Sequence, residues 1–551
     1  MMGFSLLSNA TESGTLMSSL SLLPRTRHSL LSGAALAAAL SASLGHADSL
    51  SVGIVGDMAS LDPAAINGAS WENDVLQDIY EGLVSTSASG ELIPGAAAHW
   101  QVSADGRTWT FTLRDDARWS DGALVTADDF VQAFRHQLDP TVAASYANMF
   151  YPIRHAQEVN SGKLPLTALG VTSRNSGRTL VIELEHPTPY ILRILAHGTA
   201  APLPTHLIAK DPQWKSIGHL VTNGAYTPTE WAPQSYLRVQ RNAAFHATHD
   251  VNYDSVTYYI TDSRQSAIMR FRAHALDIAR TVPAERLQWL QQIEPQALHA
   301  SPMLGSYFYA FNTVNGHPTS DPRVREALSL AVNRTTIADQ VLAGGFVPSY
   351  SLVPASMTGY TPQQVPDATA RSERARQLLK DAGYDQSRPL IIKLRYDNSE
   401  DNRKSALALA AMWQRIGVKS QLEKAEPPIH HAAIHQGDFD VARAKWDADY
   451  DDAMTFLDTL TSWSTNNYSH YHNSAYDSLI KEAVDAVDPT IRRQLLEQAE
   501  QVAMKDYAVL PLMTQRSLNL VSPAVSGWQD NALDVHLSRW MKPSAQDAAQ
   551  H

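Results

Sequence analysis

Six aspartates crowd a short stretch in the second half of the chain, residues 438–452. They are Asp438, Asp440, Asp447, Asp449, Asp451 and Asp452. Only two cations, Arg443 and Lys445, lie among them, and Trp446 and Tyr450 are interleaved with the charges. Charges beside aromatic rings, after an apolar run that predicts a buried strand, are typical of a cleft for a ligand with charged ends. The spacing leaves a second interpretation open, a solvated acidic loop after an edge strand.

Carboxylates at this density could also do acid–base chemistry, so an enzyme is the rival class. Hydrolysis of glycosides or peptides would need two of these aspartates in separate acid and base roles. The chain has no G-x-S-x-G motif, no H-E-x-x-H motif and no cysteine nucleophile. The sequence therefore favours binding over catalysis, and we predict no enzyme activity.

A metal site is the second rival. His431 and His435 are four residues apart, with His430 beside them, and two imidazoles at this spacing suit zinc on a helix. Pro427 and Pro428 precede them, and no acidic third ligand stands at a fixed offset. We interpret the three as exposed histidines of a helix, and we predict neither a metal nor another cofactor.

The first 47 residues have the pattern of a secretory signal peptide. Arg25 and Arg27 precede an apolar run over 30–44, and small residues, Gly45 and Ala47, stand where a signal peptidase cleaves. The run is shorter than the about 20 residues that span a bilayer, which argues against a membrane anchor. The chain has no cysteine for a lipid anchor or a disulfide. We therefore predict an exported, unanchored protein of a bacterial periplasm.

Length and composition narrow the classes of partner. The rest of the chain is long enough for two to four domains with sizeable cores. Its composition, 44% hydrophobic and 18% charged, is ordinary for a soluble globular protein. The formal net charge of −12 argues against nucleic acid or an anionic membrane as partner, because both need a basic face.

The first half of the chain predicts an α/β lobe interrupted by a β-rich section. A strand at 52–55 and a helix at 71–83 open the lobe. Asp105-Gly106 predicts a hairpin, and alternating residues over 108–114 predict a strand with one buried face. We expect the section 93–205 to form a domain of its own.

After this section the pattern returns to alternating strands and helices. Strands are predicted at 221–226, 390–396 and 509–512, while Asp321 and Asp488, each followed by proline, predict helix starts. Two α/β lobes and one β-rich insert, in an exported chain, are the outline of a hinged binding protein.

Several short motifs between about residues 52 and 541 follow the order and spacing of one family. Besides the aspartate-rich stretch they are Ser60-Leu61-Asp62-Pro63, Tyr80-Glu81-Gly82-Leu83, Trp119-Ser120-Asp121-Gly122, Thr222-Asn223-Gly224-Ala225-Tyr226, Asp321-Pro322-Arg323-Val324-Arg325-Glu326-Ala327-Leu328, Asn466-Asn467-Tyr468 and Ala475-Tyr476-Asp477. In these motifs the chain resembles the oligopeptide-binding proteins of bacterial ABC importers, solute-binding protein family five. The resemblance implies peptide transport, in which a monomer encloses a short peptide and delivers it to an inner-membrane permease with cytoplasmic ATPase subunits.

The fold implied by the resemblance is α/β: a two-lobed, hinged periplasmic binding protein with an additional β-rich domain. The expected limits are 1–47 for the signal peptide, 48–92 with 206–304 and 515–551 for lobe I, 93–205 for the accessory β-rich domain, and 305–514 for lobe II. The peptide is expected between the two lobes.

The resemblance also implies roles for particular residues. An aspartate of relatives pairs with the peptide's α-amino group, and Asp449 matches it; such charge-assisted hydrogen bonds are about twice as strong as neutral ones. The peptide backbone adds as a strand between two segments, giving affinity without reading side chains. These segments match Asn67, Gly68 and Ala69, and Lys445, Trp446 and Asp447. Tyr146 matches a tyrosine lining the cleft; for Tyr146 and Trp446 the alternative role is ordinary packing between lobes.

Departures from the family pattern affect the side-chain pockets. Lys445 stands where relatives usually have a small residue, and Pro427 replaces a cleft tryptophan. Asp447 and Gly305 stand where some relatives have paired cysteines. The residue and length tolerance of the family therefore need not transfer to this chain.

The cations that receive the peptide's carboxylate are reduced to one, Arg443, because Leu342 replaces a lysine and Asn402 a histidine. We expect Arg443 to favour the peptide length whose carboxylate reaches it, about three residues. The alternative is that Arg443 pairs with a neighbouring aspartate and only holds the loop. A different small ligand, such as a dipeptide, a murein peptide or an opine, also stays open.

Overall fold

The computed structural model describes residues 48–66, 70–362 and 371–545. The predicted signal peptide lies outside the described residues. The strands are β1 Ser49–Ile54, β2 Val84–Thr86, β3 Leu92–Pro94, β4 Ala97–Val102, β5 Thr108–Leu113, β6 Val171–Arg174, β7 Thr179–Glu183, β8 Tyr226–Ala232, β9 Tyr236–Arg241, β10 Ser255–Ile260, β11 Ile278–Ala279, β12 Leu298–Phe311, β13 Phe346–Pro348, β14 Ile391–Asp397, β15 Lys419–Ala425, β16 Val441–Asp447, β17 Val509–Val521, β18 Val525–Ser526 and β19 Lys542–Pro543. The α-helices are α1 Ser70–Ile79, α2 Ala127–Leu138, α3 Ala156–Asn160, α4 Ile191–Leu195, α5 Thr205–Ile208, α6 Arg264–Arg272, α7 Leu287–Ile293, α8 Pro322–Leu330, α9 Arg371–Asp381, α10 Glu400–Gln414, α11 Pro427–Gln436, α12 Met454–Leu457, α13 Ser474–Asp485 and α14 Pro489–Lys505.

One sheet of eleven strands runs through both lobes. Its order is β15-β14-β16-β12-β17-β11-β1-β10-β9-β8, with β13 also paired to β17. The long antiparallel pair β12 and β17 is shared, because β12 pairs with β16 of one lobe and β17 pairs with β11 of the other. The two lobes are therefore joined by continuous hydrogen-bonded backbone.

The shared pair is irregular where it passes between the lobes. The register of β12 shifts between Pro302 and Ser306, opposite Arg516 and Thr514 of β17. Such short breaks in a connecting element are where hinged proteins absorb changes of backbone angle. The lobe limits expected from the sequence fall within this section, and the domain limits as a whole stay a prediction.

The β-rich section has a four-stranded sheet of its own, in the order β4-β5-β7-β6. The predicted hairpin is confirmed: Val102 pairs with Trp109, and Gly106 takes the left-handed backbone angle that the turn requires, φ +71°. Trp109 and Phe111 are buried on one face of β5. Their core is continuous with that of lobe I, since Phe111 and Val52 belong to one cluster of buried side chains.

Lobe II buries both faces of its part of the sheet, and β12 shows how. Phe308 packs on one side with the core of α12, α13 and α14, and Tyr309 packs on the other with the core of α8, α9 and α10. Successive residues of a strand point to opposite faces, so a strand covered on both faces is apolar almost throughout. The sheet of lobe II is therefore covered by helices on both faces.

The predicted helix starts at Asp321 and Asp488 are confirmed. The Asp321 carboxylate accepts the backbone N–H of Arg323 at 2.9 Å, and the Asp488 carboxylate accepts that of Thr490 at 2.8 Å. Each caps a helix whose first residue is proline. No helix in the described part of the chain has the length and apolar character needed to cross a membrane.

The strand predicted at 221–226 is wrong, because β8 begins only at Tyr226. The residues before it form a tight contact with the end of α1. The Asn223 amide donates to the backbone carbonyl of Glu81 at 2.8 Å, and a side chain at Gly224 would collide with the backbone of Ile79. Tertiary packing here overrides the local apolar pattern.

Candidate functional site

Two cavities of about 500 Å³ and 1020 Å³ lie on either side of the end of β16. Both are lined by Tyr146, Lys445, Asp447 and Asp449. The smaller cavity continues along lobe I and the strand pair β12 and β17, and the larger one continues between lobe II and the β-rich section. Together they form the cleft, and the acidic stretch lies at its centre.

The strand β16 presents a free backbone edge to this cleft. It pairs with β12 along its whole length, Phe311 with Val441 through Gly305 with Asp447. On its other side β14 pairs only with Val441 and Ala442. Within the described part of the chain, the rest of β16 thus has a strand partner on one side only. An edge of this kind can accept an extended peptide as a further strand.

Asp449 lies just beyond this edge and is half-buried. Its carboxylate makes no hydrogen bond or ion pair with any residue described in the structure. Burial raises the pKa of Asp449 to about 6, and the charge of Asp447 adds to the effect. Asp447 itself is satisfied, because it accepts from Lys445 Nζ at 2.7 Å and from the Gln515 amide. Among the described residues, no cation is paired with Asp449 to favour its charged form.

Tyr146 brings the β-rich section up to this carboxylate. Its ring stacks on His197 with the ring centroids 5.3 Å apart. Burial raises the pKa of Tyr146, and the negative charge of Asp449 raises it further, so the two groups are near one another across the cleft. Burial lowers the pKa of His197 to about 4, which keeps its imidazole neutral at pH 7. The predicted cleft residue Tyr146 therefore does line the cleft.

Trp446 lines the larger cavity and packs against the core of lobe II. Its indole N–H donates to Thr455 Oγ1 at 3.2 Å, which fixes the ring. Lys445, on the opposite face of the strand, reaches back to Asp447. The predicted segment Lys445, Trp446 and Asp447 is thus brought together at the cleft.

Arg443 lines the larger cavity but already has an acidic partner. Its Nη1 lies 3.1 Å from Asp397 Oδ2, and its guanidinium lies 4.7 Å from the Tyr307 ring centre. The Nε of Arg443 is buried and has no hydrogen-bond partner among the described residues. Although burial opposes the charge, Arg443 and Asn402 hold the pKa of Asp397 below its usual range. The partner of Arg443 is on β14, not among its neighbouring aspartates.

The other departures from the family pattern occupy different surroundings. Leu342 is buried in the lobe II core, and Asn402 is buried between Tyr307, whose hydroxyl donates to it at 2.7 Å, and Asp397. Neither lines the two cavities. Pro427 lines the larger cavity.

Gly305 lies directly opposite Asp447, on the neighbouring strand. Asn67, Gly68 and Ala69 lie outside the described residues, so the second backbone segment predicted to hold a peptide stays a prediction.

The histidines of α11 divide into two kinds. His431 and His435 are exposed, as predicted, with their Nε2 atoms 3.4 Å apart. The prediction is wrong for His430, which is buried and hydrogen-bonded to the Arg443 carbonyl at 2.9 Å. His430 therefore holds the backbone of β16 at Arg443, and it also lines the larger cavity.

A group of three potential metal ligands lies on the β-rich section in the described part of the chain, and one of its members, Glu185, also lines the larger cavity. His155, Glu158 and Glu185 place one ligand atom each within 4.8 Å of one another. Glu185 already accepts the backbone N–H of His155 at 2.6 Å. Exposed acidic groups of this kind are common without an ion, and the group is not part of the central acidic stretch.

Contacts that sequence reasoning missed join lobe II to the β-rich section. Tyr190 and Tyr450 stack face to face, with centroids 4.9 Å apart and planes 2° from parallel. Beside them Arg193 pairs with Asp451 at 3.1 Å. Arg193 and Asp451 are 258 residues apart in sequence. No local spacing could therefore have indicated these contacts.

Comparison with known proteins places the chain in a family. The model of the bacterial extracellular solute-binding proteins, family 5 Middle, matches residues 91–468. The periplasmic oligopeptide-binding protein OppA of Escherichia coli (strain K12) is 34% identical over 524 residues, covering 91% of this chain and 96% of that protein. The chain belongs to the bacterial extracellular solute-binding proteins of family 5. This confirms the family that the sequence motifs predicted.

Solved structures agree with this family 5 fold. The unliganded open form of the periplasmic murein tripeptide binding protein MppA matches with a TM-score of 0.81 and 34% identity, over 90% of this chain and 98% of that one. OppA of Haemophilus influenzae in complex with the peptide RPPGFSPFR matches with a TM-score of 0.74 and 30% identity, over 90% and 99%. The predicted two-lobed fold with an additional β-rich domain is confirmed.

Proposed function

We propose that this family 5 protein is the periplasmic substrate-binding component of an ABC importer for short peptides. One observation carries the proposal: in the described chain, the free edge of β16 lies directly beside a carboxylate without a partner, Asp449, in the cleft. A peptide offers both complements, an extended backbone and an ammonium group.

The free edge supplies affinity that does not depend on side chains. Backbone groups of 445–447 pair with the extended peptide, and the segment Asn67, Gly68 and Ala69 is proposed to pair with its other edge. Trp446 and Tyr146 form walls of the cavities that receive the side chains. The volumes of about 500 Å³ and 1020 Å³ suit a small peptide, since ligand pockets hold about 300–1,000 Å³.

Asp449 is proposed to hold the peptide's α-amino group. The ammonium replaces water and supplies the missing positive partner, so binding favours the charged form of a carboxylate whose pKa burial has raised. Tyr146 approaches from the β-rich section and lines the same cavities as Asp449, which supports a proposed ammonium site between the two. Ligand binding thereby favours the closed arrangement of the lobes.

Arg443 is proposed to receive the peptide's carboxylate, with a preferred length of about three residues. Its pairing with Asp397 leaves the buried Nε without a partner in the described chain, so the guanidinium retains donor capacity. The ion pair with Asp397 also keeps the guanidinium group of Arg443 in a fixed orientation.

Delivery completes the proposed function. The loaded monomer docks on an inner-membrane permease driven by cytoplasmic ATPase subunits, and the protein itself performs no chemistry. Residues 1–47 direct export and are removed, so N-terminal sequencing of the periplasmic form should begin at or near Asp48. An intact N-terminus in a membrane pellet would contradict this.

The direct test combines thermal unfolding with mass spectrometry. A mixed pool of two- to five-residue peptides should raise the melting temperature, since a ligand at a hundredfold excess over Kd stabilises by about 2.7 kcal/mol. The recovered peptides should be intact. If the sole co-purifying ligand were a dipeptide, a murein peptide or an opine, that ligand would be assigned in place of oligopeptides. If cleaved peptides were recovered, the protein would be assigned as a hydrolase.

A further inference from the structure

Arg516 is a cation of the cleft that sequence analysis did not single out. It lies on β17 opposite Pro302, where the register of the shared strand pair shifts, and it lines the smaller cavity. It forms no ion pair with any residue in the described part of the chain. Its Nε is buried and has no hydrogen-bond partner there. A buried donor without an acceptor is unfavourable, so this guanidinium is suited to a ligand that supplies one.

Most other charges around the smaller cavity are already paired. Three ion pairs account for them: Arg193 with Asp451 at 3.1 Å, Lys445 with Asp447 at 2.7 Å, and Asp534 with Arg280 at 3.1 Å. Four lining residues form no ion pair within the described chain: Arg264, Arg516, Asp401 and Asp449. The smaller cavity thus holds unpaired groups of both signs.

Arg264 and Asp401 act on each other. Burial raises the pKa of Asp401, and the charge of Arg264 opposes that rise, so each is within electrostatic reach of the other across the lobes. This leaves Asp449 and Arg516 as the two groups of the smaller cavity that most need a ligand of opposite charge.

We infer that Arg516 is a second carboxylate-binding residue of the cleft, which makes it a determinant of ligand specificity. The inference rests on the proposed function and names a ligand class within it: peptides whose carboxylate reaches the smaller cavity, where Asp449 holds the ammonium. The guanidinium binds such a carboxylate with two parallel hydrogen bonds. The carboxylate is either the C-terminus or an acidic side chain.

Arg516 differs from Arg443 in having no acidic partner in the described chain. Arg443 already shares its charge with Asp397, whereas Arg516 shares its charge with no acidic group in the described chain. The two arginines line different cavities, Arg443 the larger and Arg516 the smaller. One cleft can therefore receive carboxylates in two places.

The test is calorimetry with four tripeptides on the wild type and on Arg516→Gln. The peptides are Ala-Ala-Ala, its C-terminal amide, Ala-Glu-Ala-amide and Ala-Gln-Ala-amide. We expect Arg516→Gln to weaken at least one carboxylate-bearing peptide by about tenfold or more and to leave both neutral amides unchanged. Loss with Ala-Ala-Ala assigns the C-terminus, and loss with Ala-Glu-Ala-amide assigns the side chain.

Two controls keep the result interpretable. Arg403→Gln removes the same charge from an exposed helix position that pairs with Glu400 and lines neither cavity, and it should bind all four peptides like the wild type. If Arg516→Gln does not fold, Arg516→Lys keeps the charge without the fork and should still lose affinity selectively for carboxylate-bearing peptides.

The failure of this inference is distinct from the failure of the proposed function. Equal affinity of Arg516→Gln and wild type for every peptide, or an equal loss with all four, would overturn the role of Arg516 while peptide binding stands. A wild type that binds none of the four would overturn the proposed function itself.

Discussion

Asp449 and Asp452 are three residues apart and have opposite surroundings. Asp452 receives two hydrogen bonds from the Arg492 guanidinium, at 2.7 Å and 2.9 Å, and a third from the backbone N–H of Met454. Asp449 receives none within the described chain, and burial raises its pKa to about 6. The carboxylates of one acidic stretch thus differ in whether the described chain supplies them with a partner.

Asp447 and Asp451, from the same acidic stretch, both have partners in the protein. Asp451 joins lobe II to Arg193 of the β-rich section, and Asp447 is held by Lys445 and Gln515. Local charge density therefore does not identify a binding residue. Asp449 is the candidate because it is a half-buried carboxylate with no hydrogen-bond or ion-pair partner in the described chain.

The largest expected effect concerns Asp452. Asp452→Asn leaves the nearly buried Arg492 without its negative partner, and the free energy of unfolding should fall by about 3–5 kcal/mol. Denaturant unfolding of the ligand-free protein measures this. Asp449→Asn is the matched control, and it should cause no loss at pH 7, because it removes a charge that burial disfavours. Equal losses of unfolding free energy in the two variants would contradict the difference described for Asp449 and Asp452.

The next effect is a pH dependence of binding. A peptide ammonium needs the ionised form of Asp449, and with a pKa of about 6 roughly one molecule in ten carries it at pH 5. The apparent affinity of a free peptide should therefore fall about tenfold between pH 7 and pH 5.

The same group also acts on stability. The folded pKa of Asp449 lies above the ordinary value of 3.8, so its contribution to the ligand-free protein is most favourable at low pH and is lost as pH rises toward 6. The binding effect is tested by calorimetric titration with a free peptide from pH 5 to pH 8. If the affinity of Asp449→Asn changed with pH in the same way as that of the wild type, Asp449 would not be the titrating group.

The smallest effect is expected at Lys445. Its pair with Asp447 is exposed, and exposed ion pairs contribute about 0–1 kcal/mol. Lys445→Ala should therefore change the free energy of unfolding by less than about 1 kcal/mol, and added salt should reduce the difference further. If Lys445→Ala lowered the free energy of unfolding as much as Asp452→Asn does, the exposure of an ion pair would not determine its contribution to stability.

The sequence was sufficient to predict those parts of the structure that depend on local signals. The helix starts at Asp321 and Asp488 are set by a capping side chain followed by proline, and the hairpin at Gly106 by turn chemistry. The acidic stretch was also recognised as a cleft candidate from its mixture of charges and aromatics. The assignment of Asp449 within it came from the family resemblance.

The two shared strands show why the rest was missed. β12 contains Pro302 and Gly305, which locally predict a break, and the strand indeed changes register there without ending. β17 was predicted only for 509–512, because the polar run from Thr514 to Ser517 looks unlike a strand. Gln515, Arg516 and Ser517 line the smaller cavity, so the polar residues that obscured the strand pattern are the ones that face the cleft.

Long-range pairs were beyond any local pattern. Arg443 finds its partner Asp397 on a neighbouring strand, 46 residues away in sequence. The stacking of Tyr190 on Tyr450 depends on how the β-rich section meets lobe II. Such contacts follow from the tertiary arrangement, which residue spacing does not encode.

The most direct measurement is a thermodynamic cycle at pH 7, with wild type and Asp449→Asn each titrated with Ala-Ala-Ala and with Nα-acetyl-Ala-Ala-Ala. If Asp449 holds the ammonium, the free peptide should lose about 3–5 kcal/mol of binding free energy on mutation, and acetylation should cost the wild type a comparable amount. The acetylated peptide should bind the two proteins nearly alike. Equal affinity of the wild type for the free and acetylated peptides would contradict the central claim.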